Sequence, residues 1–280
     1  MDETPSAARN QTPPPGLDLT PGPLLATGRD AEVFALGHDR VLRRYRAGNL
    51  GANGKLKTSE NEAEIMRYVR SHGYPVPTVH EVRGPDMVME RVDGPTMLKD
   101  MGQRPWMIWR HARLLAMLHR RLHAIPAPDW LPTYASHPAF ANLDEDAARP
   151  AGLPPMAAPS PTSPETLLHL DLHPDNVILS RRGPVVIDWR NTRRGEGAID
   201  VASTWLILAT SEIPDTGAKR MAMEVVRRVF IYAFVRYAGR EAAARQIPAV
   251  ARYRLADRNL LPSEPPAIYA LARRAVGGVG

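Results

Sequence analysis

One stretch constrains this chain more than any other: His169-Leu170-Asp171-Leu172-His173-Pro174-Asp175-Asn176, followed by Ile187-Asp188-Trp189. Asn176 comes five residues after Asp171, and Asp188 twelve residues after Asn176. Between Asn176 and Asp188 run Val177-Ile178-Leu179, then Ser180-Arg181-Arg182-Gly183-Pro184, then Val185-Val186-Ile187. Two short β-branched runs around a Gly-Pro turn read as a hairpin. A hairpin brings its ends together, so Asn176 and Asp188 are expected to be neighbours, with Asp171 in the loop just before. Two oxygen ligands beside a third carboxylate suit Mg²⁺ on a phosphate, because this hard ion takes few protein ligands.

The rest of the chain narrows the class. At 280 residues it is long enough for one large domain or two lobes. No run of eighteen apolar residues is present, so no membrane span is expected. Met1-Asp2-Glu3-Thr4 carries no basic-then-apolar leader. Cysteine is absent, which excludes disulfides and thiolate metal sites and fits a reducing, cytoplasmic setting. The net charge of +6 is not arranged as a basic stripe interleaved with aromatics, so a nucleic-acid partner is not expected. A basic pocket for phosphates is compatible with it.

Residues 1–18 are proline-bearing and poor in apolar side chains, and read as a disordered lead-in. From 24 to 45 the pattern is strand, turn at Thr27-Gly28-Arg29-Asp30, strand, turn, strand. A glycine-bearing turn can offer backbone N–H groups to phosphates, but one glycine, Gly28, also suits an ordinary β-turn. Residues 48–57 form a glycine-rich basic loop. Thr58 or Ser59 is placed to cap a helix over 60–71 that carries Glu62 near its start. Strands at 79–82 and 87–89 follow. Residues 89–94, Met89-Glu90-Arg91-Val92-Asp93-Gly94, make an extended crossing toward a helical second part.

That second part opens with a stripe of Ile108, Ala112, Leu115, Leu118 and Leu122, a helix that Pro126 ends. His119 and His123 lie four apart on it. Such spacing suits zinc in principle, but the glutamate of His-Glu-x-x-His is missing, so packing or helix-terminal roles are the better reading. Residues 126–165 are dense in proline and read as a long irregular segment, with a short helix at 142–149. After Asp188, Asp200 reads as the cap or brace of a helix through 205–210. Three more helices are expected, near 216–238, 241–257 and 264–275.

The form His-x-Asp-x-His-Pro-x-Asn with Ile-Asp-Trp resembles the aminoglycoside phosphotransferase and choline kinase-like family more than protein kinases, which show His-Arg-Asp and Asp-Phe-Gly. The resemblance implies an α+β, bilobal protein-kinase-like fold. Its small antiparallel sheet with one helix would span residues 19–92, and its mainly helical lobe 93–280. It implies an ATP-dependent kinase of small-molecule hydroxyls. Asp171 would accept the hydroxyl proton, and Asn176 and Asp188 would hold Mg²⁺. Met89, Glu90, Arg91 and Val92 would meet adenine, and the Gly28 turn would cover the phosphates. Glu62 would pair with a basic residue on the third strand, and His169 and Asp200 would brace the catalytic loop.

The third strand departs from the pattern. Where a lysine is expected to reach the α/β-phosphates, Arg43 stands. Arginine keeps the charge and can clamp phosphate with two donors, but with a different shape. Lys55 and Lys57 are possible substitutes. The departure leaves open a nucleotide-binding or regulatory protein with little turnover. The acceptor is not legible: acids at Asp144, Glu145, Asp146, Glu212 and Asp215 would suit a cation. Arg227, Arg228, Arg236, Arg240 and Arg245 would suit an anion or neutral acceptor.

Overall fold

A computed structural model describes residues 19–28, 30–46, 59–140, 153–156, 165–213, 216–257 and 260–277. The expected lead-in over 1–18, the loop at 48–57 with Lys55 and Lys57, the Thr58 cap, the helix at 142–149 and Asp144, Glu145, Asp146 and Asp215 lie outside these residues.

The first part is an antiparallel sheet of five strands in the order β1-β2-β3-β5-β4. They are β1 (Leu24–Thr27), β2 (Ala31–Leu36), β3 (Arg40–Tyr45), β4 (Val79–Arg83) and β5 (Asp86–Glu90). Alternation sets which side chains go inward: Val41 and Tyr45 on β3 and Met87 and Met89 on β5 join the core. The register Val33↔Arg43↔Met87 puts Arg43 in the middle of the sheet.

Helix α1 (Ser59–Ser71) lies against β4 and β5, with Ala63, Met66 and Val69 buried at helical spacing. Ser59 does not act as a cap. It is the first helical residue, and its hydroxyl donates to the Gly84 carbonyl, which ties the helix start to the β4–β5 turn.

The second part is helical. Helix α2 (Met97–Gln103) was not legible in the pattern, having only Met97 and Met101 as its apolar ridge. Thr96 caps it, accepting from the Lys99 N–H at 3.2 Å. Helix α3 (Ile108–His123) buries the expected stripe. The remaining helices are α4 (Gly197–Thr210), α5 (Gly217–Ala238), α6 (Arg240–Leu255) and α7 (Glu264–Gly277). Gly239, at φ +107°, separates α5 from α6 in a left-handed conformation that glycine adopts without steric cost.

Two small ladders carry the loop that holds the motif. Strands β6 (Thr166–Leu168) and β9 (Arg193–Gly195) pair with each other, and their three-residue length left no periodic signal. Between them sits the expected hairpin of β7 (Val177–Ser180) and β8 (Gly183–Val186), in the register Val177↔Val186. Trp189 anchors this unit in the core, fully buried and edge-on to Tyr74 with 5.5 Å between ring centroids. No helix among the described residues is long and apolar enough to cross a membrane.

Candidate active site

The hairpin does what its sequence promised. The Ile187 N–H donates to the Asn176 carbonyl at 3.0 Å, so the residue before Asp188 is paired with Asn176 itself. Asn176 also reaches back to the loop: its Nδ2 donates to the Asp171 main-chain oxygen at 2.8 Å and to Asp171 Oδ2 at 3.2 Å. The amide nitrogen is thereby committed, and the amide oxygen is the end left for a cation.

Two non-glycine residues in the described chain have positive φ, Leu170 at +64° and Asp188 at +66°. Asp tolerates this region, but Leu does not without strain of ~1–3 kcal/mol. What holds Leu170 is Asp200 in the first turn of α4. Asp200 Oδ1 accepts the Leu170 N–H at 2.6 Å, and the Ser203 hydroxyl donates to the Leu170 carbonyl at 2.9 Å. Asp200 is wholly buried, and α4 receives no side-chain cap hydrogen bond at its start. Of the two expected roles, bracing is the one seen. His169, also buried, turns its Nε2 to the Ile187 carbonyl at 3.2 Å and stacks at a tilt on Trp189. Burial lowers its pKa to about 4, so it sits there neutral.

Arg43 joins the two parts of the molecule. Its guanidinium forks, with Nη1 2.9 Å from Glu62 Oε1 on α1 and Nη2 2.8 Å from Asp188 Oδ1. Glu62 is saturated by this pair, by the Tyr45 hydroxyl and by the Trp189 N–H at 3.1 Å. A lysine has one nitrogen and could not span both carboxylates in the same way.

The two acids of the motif titrate oppositely. Burial raises the Asp171 carboxyl to about 6, helped by the nearby Asp188 charge and offset in part by His173, Arg254 and Asn176. For Asp188 burial also works upward, but the charge and hydrogen bond of Arg43 outweigh it and leave the carboxyl below its usual range.

The remaining expected residues lie at the end of β1 and at the end of β5 and just beyond it. Gly28 closes the β1–β2 turn, its N–H donating to the Ala31 carbonyl at 2.9 Å. That turn is tied across the cleft, because Asp30 ion-pairs with Arg190, two residues after Asp188. On β5 and beyond, the Glu90 N–H donates to Thr78 O at 2.8 Å and the Arg91 N–H to Asp39 O at 2.8 Å. Met89 is paired with Val41, whereas Val92 lies past the ladder. Sequence reasoning missed Arg190 and missed Arg254 of α6, whose charge reaches Asp171. Neither has a local signal, since both matter through contacts made across the fold. Glu212 accepts from Ser263, while Arg227 donates to the Ser211 carbonyl and pairs with Glu224.

Chemically, the group offers a carboxyl of raised pKa at Asp171, the amide oxygen of Asn176, and the Asp188 carboxylate with the Arg43 guanidinium beside it. These are hard oxygen donors of the kind Mg²⁺ takes, with Asp188 Oδ2 and Asn176 Oδ1 not engaged by Arg43 or Asp171.

Solved structures share this architecture. The aminoglycoside phosphotransferase APH(4)-Ia aligns over 92% of this chain and 93% of its own, at 15% identity and a TM-score of 0.59. A thermostable mutant of that enzyme, in ternary complex with ADP and hygromycin B, aligns over 92% and 94% at 16% identity and a TM-score of 0.57. A choline/ethanolamine kinase family protein from Mesorhizobium loti aligns over 91% and 87% at 18% identity and a TM-score of 0.53. At such identities the likeness shows the fold, which is protein-kinase-like. No protein of curated function matches the sequence. The model of the phosphotransferase enzyme family (APH) matches residues 23–236, and the chain belongs to that family.

Proposed function

We propose that this phosphotransferase moves the γ-phosphate of ATP to a hydroxyl of a small molecule, assisted by Mg²⁺. The observation that carries the reading is that the hairpin pairs Ile187 with Asn176, Asn176 holds Asp171, and Arg43 reaches Asp188 from the sheet. Asp171 is the base. With its pKa near 6 it is ionised at neutral pH, yet it binds a proton more readily than an ordinary carboxylate does. Asn176 and Asp188 are the residues that would hold Mg²⁺, which when bound neutralises charge on the phosphates. Arg43 supplies a fixed positive charge beside Asp188 and keeps α1 docked through Glu62. Val92, beyond the paired N–H groups of Glu90 and Arg91, is the crossing residue best placed to meet adenine with its main chain. The β1–β2 turn, with Gly28, would lie over the phosphates, held down by Asp30 on Arg190. The reading extends residues 19–92 as the nucleotide lobe and 93–280 as the lobe of the catalytic loop.

A second reading, a nucleotide-binding protein with little turnover, draws on Arg43 occupying one oxygen of Asp188. One experiment separates the two. Calorimetric titration with Mg-ATP is paired with ADP release measured over a panel of hydroxylated metabolites and aminoglycosides. Binding with acceptor-dependent ADP release supports the kinase. Binding without release by any acceptor supports the second reading, and no binding refutes both.

A further inference from the structure

The two histidines four apart on α3 have a third partner that no spacing rule reveals. His119, His123 and Asp200 bring three ligand atoms within 4.8 Å of one another. His119 and Asp200 are buried, while His123 is 16% exposed and forms the open end of the cluster.

Hydrogen bonding fixes the state of His119. The Thr204 hydroxyl donates to the Leu172 carbonyl at 2.7 Å, so its one proton is committed. The contact of 3.2 Å between Thr204 Oγ1 and His119 Nε2 therefore requires the histidine to donate. The proton sits on Nε2, and Nδ1 presents a lone pair. That lone pair is buried, has no hydrogen-bond partner, and faces Asp200 Oδ2 at 3.3 Å. Two acceptors held face to face in a dry pocket repel unless a cation lies between them.

His123 Nε2 lies 3.1 Å from the same Asp200 oxygen. A tetrahedral ion with bonds of about 2.0–2.1 Å has ligand atoms roughly 3.3 Å apart, which these two edges match. Two imidazoles and one carboxylate select a zinc-class ion over Mg²⁺, which prefers oxygen. A hydroxyl on the outward nitrogen of His119 is the kind of partner that orients ligating histidines. Gly197 adds a steric reason for its own identity, since a Cβ there would stand 2.7 Å from His123 Nδ1.

The geometry points to a zinc-class divalent cation site at His119, His123 and Asp200, lying beneath the catalytic loop and separate from the pair Asn176 and Asp188. Asp200 would then hold the ion with Oδ2 and the Leu170 N–H with Oδ1, so that the ion stiffens the turn that presents Asp171. The assignment does not depend on the acceptor or on turnover.

The test uses the full-length chain, stripped with a chelator and titrated with ZnCl₂, with CoCl₂ as the spectroscopic probe. We expect one zinc per chain, cobalt absorption of the intensity typical of tetrahedral sites, and a raised melting midpoint in zinc. His123→Asn, at the open end of the cluster, should weaken zinc binding by more than about 100-fold and remove the cobalt bands. His119→Asn should do the same if it folds, and His123→Asn decides the matter if it does not. Asp188→Ala should bind zinc as the parent does, even though it loses Mg-nucleotide. No saturable zinc binding, or zinc held equally by the His123→Asn chain through surface histidines, overturns the assignment. So does loss of zinc in Asp188→Ala with His123→Asn unaffected.

Discussion

Asp171 and Asp188 stand seventeen residues apart on one loop and hairpin, yet they are governed from different parts of the molecule. The sheet reaches across and clamps Asp188 through Arg43, which keeps it charged. Nothing from the sheet does this for Asp171, which answers to burial and to the negative charge of its neighbour. The difference teaches a division of labour. On the proposed roles, a carboxylate that holds a metal has to stay ionised and is paired, whereas a base has to take a proton and release it and is left to burial.

Four measurements test this contrast. The largest effect is expected from Asp188→Ala, which removes the proposed metal ligand and leaves Arg43 half-paired. Calorimetry should then show no Mg-nucleotide binding, and an unchanged titration would end its metal role. Asp171→Asn keeps the shape and removes the proposed base, so kcat/KM should fall about 10²–10⁴-fold while the melting curve stays put. Near-parental turnover would remove Asp171 from the mechanism.

Arg43→Met probes the clamp itself. Arg43 is 12% exposed and Glu62 2%, so its removal strands a buried carboxylate. We expect a loss of about 3–5 kcal/mol in chemical denaturation. Arg43→Lys should recover part of this, because its ammonium keeps the charge but presents its donors from one nitrogen rather than from the two ends of a planar fork. Equal stability of the parent and Met chains would show that the fork is incidental.

The smallest effect is on pH. The folded Asp171 titrates near 6 rather than its ordinary 3.8, and in the proposed mechanism it is the ionised form that takes the hydroxyl proton. The acid limb of kcat/KM should therefore fall near pH 6, with activity rising through it. The raised pKa also means the native state holds this proton more tightly than the unfolded chain. Its contribution to stability is full below 3.8 and is lost as pH rises toward 6. His173 lowers the Asp171 pKa, so His173→Gln should move the limb to higher pH. A limb that stays in place would remove His173 from the surroundings that matter.

Much of this was readable from residues. Val177-Ile178-Leu179 and Val185-Val186-Ile187 around Gly183-Pro184 announced the hairpin, and the stripe on α3 announced its buried face. The expectation that Glu62 pairs with the third strand came from family resemblance, since no local rule links residues nineteen positions apart across a loop. The Arg43–Asp188 contact spans 145 positions and the His123–Asp200 contact 77. Patterns of period two or 3.6 report which face of an element is buried. They are silent on which polar groups meet once the faces are packed. The strands β6 and β9 and helix α2 were missed for a simpler reason, being too short to establish a period.

One contact sets how the two parts can move. Gly94 has φ +151°, and a Cβ there would stand 2.3 Å from the Leu179 carbonyl, so the backbone of the crossing lies directly on β7. The Leu179 N–H donates to Pro95 O at 2.9 Å, Thr96 Oγ1 donates to Asp175 Oδ1 at 2.8 Å, and Arg182 ion-pairs with Glu90. The connector is therefore riveted to the hairpin that separates Asn176 from Asp188. The main chain at Gly94 and Pro95 is thus fixed against β7, and Thr96 joins the start of α2 to the turn that carries Asn176.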